Sequence, residues 1–407
     1  MLAHPELSLL LLLAVAAAVA VLSNRARLPY AIGLVLAGLV LGNLLTYPGP
    51  HLSKALLFLV VLPGLLFEAA YQMHFAEFWR ARLSILTLAV PGLVIATFLT
   101  ALMVCWGVNQ YAPGSITFIA AMVFGALISA TDPISVLAIF RSLGVDQRLA
   151  VIVEAESLFN DGTAIVIFGI VLAMATGSAL SVGGAVVEFV RVAGLAVVVG
   201  GAVGAGIGLL TRALDDPMIE ITLTVLSAYG AFIVADLLGL SGVIACVVAG
   251  LICGTWGARG GVAAATRGAV DAFWSYTAFL LNSFVFLLMG VEIKVATLVH
   301  DLPQILMGWV AINLARAAIV YGKYALMRAA GSNAWPSSWA AVLTWGGLRG
   351  GLSMVLALSL PVDFPHRELI LHMTFGVVLL TLLVQGLTIK PLLRWVGLAS
   401  AAAGGLP

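Results

Sequence analysis

The fold this sequence predicts is an all-α polytopic membrane protein of about 13 transmembrane helices, arranged as two inverted-topology repeats with crossed broken helices. Three observations predict it. Of the 407 residues, 62% are hydrophobic and only 9% charged, against roughly a quarter charged in an ordinary soluble domain. Apolar stretches of roughly 20 residues, enough to cross a hydrocarbon core, recur from end to end with no long polar segment between them. Two of these stretches are interrupted mid-span, at Ala130-Thr131-Asp132-Pro133 and at Gly346-Gly347-Leu348-Arg349-Gly350-Gly351.

Breaks at charge clusters and at Pro, Gly and Asn loops place the spans near 7–22, 30–46, 53–72, 83–107, 115–140, 149–176, 183–211, 218–237, 240–257, 270–291, 303–327, 338–360 and 369–393. The first run lacks a positive leader and a cleavage site, and Arg25 and Arg27 follow it, so it reads as a retained helix. The chain reads as one membrane domain with no soluble domain attached.

Lysine and arginine orient the spans, because cytoplasmic loops hold the excess. With the N-terminus outside, Arg25, Arg27, Arg80, Arg82, Arg141, Arg148, Arg212, Arg259, Arg267, Lys323, Arg328, Lys390 and Arg394 fall on the inner side. Only Lys54, Lys294 and Arg367 fall outside, and the C-terminus is then cytoplasmic. Trp79, Trp106, Trp256, Trp335 and Trp395 lie near span ends, as interfacial anchors do.

Composition also excludes functions. A net charge of +1 without a clustered basic face gives no nucleic-acid partner. Cys105, Cys246 and Cys253 fall in or beside apolar runs without metal-ligand spacing, so they read as packing residues. Gly239-Leu240-Ser241-Gly242 has the look of a serine-nucleophile motif, but no histidine lies at mid-membrane depth to act as its base, and a turn between spans is the simpler reading.

A charge at the bilayer centre costs about 3 kcal/mol or more, so each buried one is a functional candidate with a partner to be found. Glu68, Asp132, Glu156, Asp161 and Arg349 fall well inside spans. Left unpaired in lipid, five such groups would cost on the order of 15 kcal/mol, comparable to the stability of a whole domain. They must converge in the protein interior. In the sixth span, Ser157 and Asp161 share one helical face, a hydroxyl and a carboxylate suited to a small cation, while Glu156 and Asn160 share a face about 100° away.

Pro133 deletes a helical hydrogen bond in the fifth span, and four glycines surround Arg349 in the twelfth. Broken helices are tolerated at membrane depth where the freed backbone lines a cavity. The breaks are seven spans apart, so spans 1 to 6 and 8 to 13 are expected to form the inverted repeats, with span 7 as linker. Arg349 is expected to neutralise Glu156. The glycine-rich stretch from Gly194 to Gly208 reads as close helix packing. Glu188 and Asp236 read as snorkelling or locally bonded groups, Arg191 and Arg316 as structural counter-ions or lipid contacts, and the six histidines as structural or interfacial. Glu68 stands evenly between cation ligand and structural acceptor.

With Thr131-Asp132-Pro133, Glu156-Ser157-Leu158-Phe159-Asn160-Asp161-Gly162, Phe67-Glu68 and Gly346-Gly347-Leu348-Arg349-Gly350 in this order, the whole chain resembles the cation/proton antiporter family of NhaP-type sodium/proton exchangers, related to the animal sodium/proton exchangers. The resemblance implies a secondary transporter, not an enzyme, with no cofactor: an electroneutral monovalent cation/proton antiporter of a bacterial inner membrane, acting in pH homeostasis. Its substrates would be a proton and sodium or lithium, with potassium/proton antiport or, further off, a cation channel as alternatives. Asp161 would carry cation and proton in turn, with Ser157, Glu68 and the Thr131 backbone as co-ligands. Asn160 and Asp132 would stabilise the crossing, and Glu156 would pair with Arg349. A homodimer in contact with membrane lipids is implied, with core spans at about 53–176 and 270–393, and dimerisation spans at about 1–46 and 183–257 plus part of the second half. The long cytoplasmic tail of many relatives is not in this sequence, which puts tail-based regulation in doubt.

Asn160 precedes Asp161 where electrogenic relatives carry a second aspartate, so the exchange is expected to move one cation for one proton.

Overall fold

The computed structural model describes residues 5–26, 28–44, 54–178, 181–211, 216–259, 264–331 and 335–399, and among them every regular element is helical. Arg27 and Arg212, counted above with the inner basic residues, lie outside the described residues, as do the side chains of Lys54, Trp256 and Arg259.

The chain opens with α1 (Pro5–Ala26) and α2 (Tyr30–Leu44). A short α3 (Lys54–Leu56) then passes through a π-helical turn, Leu57–Val61, into α4 (Leu62–Gln72). Next, α5 (Phe75–Thr87) continues through a second π turn, Leu88–Gly92, into α6 (Leu93–Tyr111). Pro91 sits inside that turn, where its missing N–H suits the widened ladder. The rod starts at Phe75, earlier than residue 83, so Arg80 and Arg82 lie within its first turns instead of in a loop.

The first interruption appears as two helices, α7 (Phe118–Ile128) and α8 (Ile134–Leu143), joined by extended backbone. Thr117 caps the start of α7 by accepting the Ala120 N–H, and Gly144, at φ 62°, ends α8. There follow α9 (Gln147–Ala175), α10 (Val182–Thr211), α11 (Pro217–Leu237), α12 (Gly242–Arg259) and α13 (Ala264–Glu292). A short α14 (Val295–His300) leads to α15 (Leu302–Ala329). The second interruption separates α16 (Ser337–Trp345) from α17 (Gly351–Leu358). Finally, α18 (Arg367–Leu380) passes through a third π turn, Thr381–Gln385, into α19 (Gly386–Trp395). Seven of these helices or continuous rods are long and apolar enough to cross a membrane, and α7, α8 and α12 are among the shorter apolar helices.

The helices pack as two groups. In the first, α13 lies along α2, α10 along α12, and α12 against α4 and α11. The contacts are backbone-close: a Cβ on Gly38 would stand 2.0 Å from the Leu287 carbonyl, and one on Gly200 would stand 2.1 Å from that of Ala245. In the glycine-rich stretch of α10, Gly200 and Gly204 are thus close packing, the chemistry by which helices associate in lipid, while Gly194, Gly201 and Gly206 meet no neighbour within 4 Å. In the second group, α6 lies against α7 and α15, α9 against α5 and α7, and α18 against α15 and α17.

α4 packs chiefly against α12, and α13 against α2, where small residues interlock. Trp335 was expected at the interface, yet it is buried beneath the Lys323 ammonium, 5.3 Å from its ring centroid. Trp79, Trp106 and Trp395 are exposed near helix ends. Elsewhere the outer faces are aliphatic, as along Val186, Val190 and Val197 of α10, which suits contact with lipid.

Candidate functional site

The two interruptions meet. The Asp132 backbone N–H donates to the Leu348 carbonyl at 2.8 Å, tying one break to the other. The glycines of the second break make room for this: a Cβ on Gly350 would lie 2.2 Å from Asp132 Oδ2, and one on Gly347 would lie 2.4 Å from Arg316 Nε. Both neighbours therefore approach the chain where only glycine permits it.

Each break leaves orphan backbone groups, and side chains collect them. Arg349 Nη1 donates to the Ser129 and Ala130 carbonyls at 2.6 and 2.9 Å, just past the end of α7. Arg316 Nε donates to the Leu343 carbonyl near the end of α16 at 2.8 Å. A permanent cation thus sits at the negative end of each first half-helix. At the opposite polarity, Asp132 Oδ1 accepts from the Ile134 N–H at 3.1 Å, at the start of α8. The third π turn also serves the crossing, since Thr381 Oγ1 accepts from the Arg349 backbone N–H at 3.1 Å.

Glu156, expected to pair with Arg349, pairs instead with Arg316. Nη1 and Nη2 of Arg316 donate to the two carboxylate oxygens at 2.8 Å each, a bidentate pair with both side chains largely buried. The reason is competition: Arg349 is drawn to the carbonyls freed by the first break, which leaves Arg316 facing the carboxylate. Arg191 also has a local partner, Glu188, one turn away on α10.

Asn160 fastens the first break. Its Nδ2 donates to Thr131 Oγ1 at 2.7 Å, and its Oδ1 accepts from the Thr131 N–H at 3.2 Å. Ser157 Oγ donates to the Thr131 carbonyl. Three of the residues singled out in the sequence thereby form one network around a single unwound residue.

Beside this network opens a cavity of about 380 Å³, with Thr131, Asp132, Ser157 and Asp161 on its wall and Glu68 reaching in from α4. Among the described residues no basic side chain forms an ion pair with Asp161. The cavity extends towards Gln72, Arg141 and Glu154. Glu154 was missed in the sequence although its signal is plain: residues 154, 157 and 161 of one helix share a face. It lies within electrostatic reach of Glu68, and Arg141 faces both. Glu156 and Arg349 are absent from this cavity; with Arg316, Ser129 and Asn160 they line a separate one of about 20 Å³ on the other side of the crossing.

Chemically, the main cavity presents hard oxygen atoms, a carbonyl, a hydroxyl and several carboxylates, which is a donor set for a small cation. Broken helices that meet around buried carboxylates, in a chain with helices long and apolar enough to cross a membrane, define a secondary transporter of cations.

The comparisons make the class specific. The family described as "Sodium/hydrogen exchanger, transmembrane" matches residues 10–395, and the chain belongs to it. It is 39% identical over 396 residues to the Na(+)/H(+) antiporter ApNhaP of Aphanothece halophytica, covering 96% of this chain and 74% of that one. It is 35% identical over 407 residues to the Na(+)/H(+) antiporter NhaH of Halobacillus dabanensis, covering 96% and 98%. Its fold matches that of the sodium proton antiporter MjNhaP1 from Methanocaldococcus jannaschii, with a TM-score of 0.75 at 20% identity and 98% of both chains covered.

Proposed function

We propose that this chain exchanges sodium for protons, one for one, by alternating access, with Asp161 as the group that carries each in turn. One observation carries the reading. On α9, Glu156 is neutralised by a bidentate arginine, while Asp161 lines the cavity with Ser157 and Thr131 and, among the described residues, has no basic side chain paired with it.

The mechanism follows from the cost of moving charge. An ionised Asp161 with nothing bound would carry an uncompensated charge past the apolar seam between the helix groups, a penalty of several kcal/mol. A sodium ion or a proton cancels that charge, and the two compete for the same oxygens. Only the occupied forms then cross, which couples one ion to the other. Ser157 Oγ and the Thr131 carbonyl complete the cation's shell, with Glu68 as a further ligand, while Asn160 and Asp132 hold Thr131 where its carbonyl faces the ion. Arg349 and the Glu156–Arg316 pair hold the half-helices and move no charge of their own, so the cycle is electroneutral.

In the same reading, the second helix group with α5 to α9 moves against the first as an elevator core. The two halves are inverted repeats, and the protein forms a homodimer in a bacterial inner membrane. The basic-residue distribution supports a cytoplasmic position for the end bearing Gln72 and Arg141, with the cavity opening inward in this reading.

The test is dissipation of a pH gradient in proteoliposomes, with sodium, lithium or potassium added and the membrane potential clamped or free. Cation-dependent proton movement that ignores the potential and is abolished, by more than about a hundredfold, in Asp161→Asn is the expected result. No proton movement with any cation overturns the reading and favours a channel; dependence on potential overturns electroneutrality.

A further inference from the structure

We infer that the cation's shell in this cavity is completed from the wall opposite Asp161 by two neutral oxygen atoms, Asn282 Oδ1 on α13 and Ser353 Oγ on α17. The inference rests on the antiport reading and deepens it by naming residues that set cation affinity without touching proton affinity.

Three observations place them. Both residues line the same 380 Å³ cavity as Ser157 and Asp161. Both oxygens are buried and have no hydrogen-bond partner, and Ser353 is fully enclosed. They come from different helix groups, and α13 and α17 touch at the seam between those groups.

Burying an unsatisfied polar oxygen is costly, so two such atoms in one cavity wall point to a partner that satisfies them. The partner must be a donor or a cation. The cavity wall carries the carboxyls of Asp132, Glu154, Glu68 and Asp161 and, among the described residues that line it, one guanidinium, that of Arg141, so its polar groups suit a cation better than an anion. A small alkali ion takes about six oxygen ligands of the hard type. Thr131, Ser157 and Asp161 supply one side of that shell, and the neutral pair supplies the other.

Neutral oxygens have a particular consequence. Neither an amide nor an alcohol accepts a proton at working pH, so they strengthen cation binding alone and bias the competition at Asp161 towards the cation. Their division between the helix groups adds another: if the groups slide, Asn282 leaves the shell while Ser353 travels with Asp161. The cation is then bound by more oxygens in the state described here than after the slide.

The experiment measures sodium and lithium dependence of exchange in proteoliposomes, together with the thermal shift that each cation gives the purified protein. Asn282→Ala and Ser353→Ala are expected to raise the apparent KM for sodium at least about fivefold, the effect of losing roughly 1 kcal/mol, and to shrink the sodium-induced thermal shift. The pH dependence at saturating cation stays as in the wild type. Asn282→Asp, which keeps the oxygen and adds charge, lowers the apparent KM. Ser353→Ala removes one atom and adds none, which guards against a variant that fails to fold. An apparent KM within twofold of wild type in both alanine variants, or a loss of maximal rate alone, overturns the inference while leaving antiport intact. A wild-type protein that exchanges nothing overturns the antiport reading itself.

Discussion

Glu156 and Asp161 lie five residues apart on α9, yet their surroundings are opposite. Glu156 is held by both nitrogens of Arg316 on the arginine-rich side of the crossing, beside Arg349 and next to a cavity of only about 20 Å³. Asp161 opens onto a cavity of about 380 Å³ lined by other carboxylates. In the proposed exchange, the helix thus separates a carboxylate that holds the structure together from one that carries the ions. Having the right residue is insufficient for transport; its charge must also be left for the substrate to cancel.

The strongest way to break that contrast is to free Glu156. Removing one partner of a buried ion pair leaves an uncompensated charge and costs roughly 3–5 kcal/mol. Arg316→Ala is therefore expected to lower folded yield in detergent sharply, more than Arg349→Ala, whose loss orphans two carbonyls and leaves no carboxylate stranded. The double variant Glu156→Gln with Arg316→Met should cost less than the sum of the single changes. Fluorescence-detected size-exclusion after heating checks both statements, and a fully additive double variant would show that the two side chains act separately.

A smaller effect is expected at the second break. Gly350→Ala forces the Asp132 carboxylate away from a Cβ that would stand 2.2 Å from it, a crowding that costs about 1–3 kcal/mol. Transport should fall while the protein still folds. Gly206→Ala, in α10 with nothing within 4 Å, serves as the comparison and should leave exchange unchanged. Equal losses in the two variants would remove the special role given to Gly350.

How much of this was readable beforehand follows from what each signal measures. Apolar run lengths located nearly all the helices, because the bilayer sets a minimum span. The two breaks were legible because Pro133 and the glycines around Arg349 cannot sit in an undisturbed helix. The faces of α9 were legible too, since helical geometry alone puts Ser157 with Asp161. Pairing across the bundle was not. Two arginines, 316 and 349, are buried in apolar runs, and only the packed structure decides which reaches Glu156 and which reaches the carbonyls of Ser129 and Ala130. Asn282 and Ser353 were equally silent, because neutral residues in apolar spans carry no insertion penalty large enough to attract notice. The placement of α4 and α13 depended on interlocking glycines such as Gly290, which sequence shows only as small residues.

The contrast between buried and exposed pairing can be sharpened at the other end of the molecule. Asp301, between α14 and α15, accepts from His300 Nδ1 at 2.8 Å and sits 2.5 Å from His372 Nδ1 of α18. Burial pushes its carboxyl upward, but the hydrogen bonds from His372 and His300 and their charges outweigh burial and hold it below the ordinary aspartate value of 3.8. A carboxyl depressed on folding stabilises the folded state at every pH above its unfolded value, and the benefit is lost as pH falls through the lower, folded value. His300 lies largely in solvent, so its pair with Asp301 is of the screened kind worth at most about 1 kcal/mol, and the half-buried His372 is charged only when protonated. Asp301→Asn should therefore lower the melting temperature by only a few degrees at pH 7, and the gap to wild type should close only below about pH 4. A gap at pH 7 as large as that of Arg316→Ala would mean that this cluster is as shielded as the Glu156 pair, and burial would no longer separate the two.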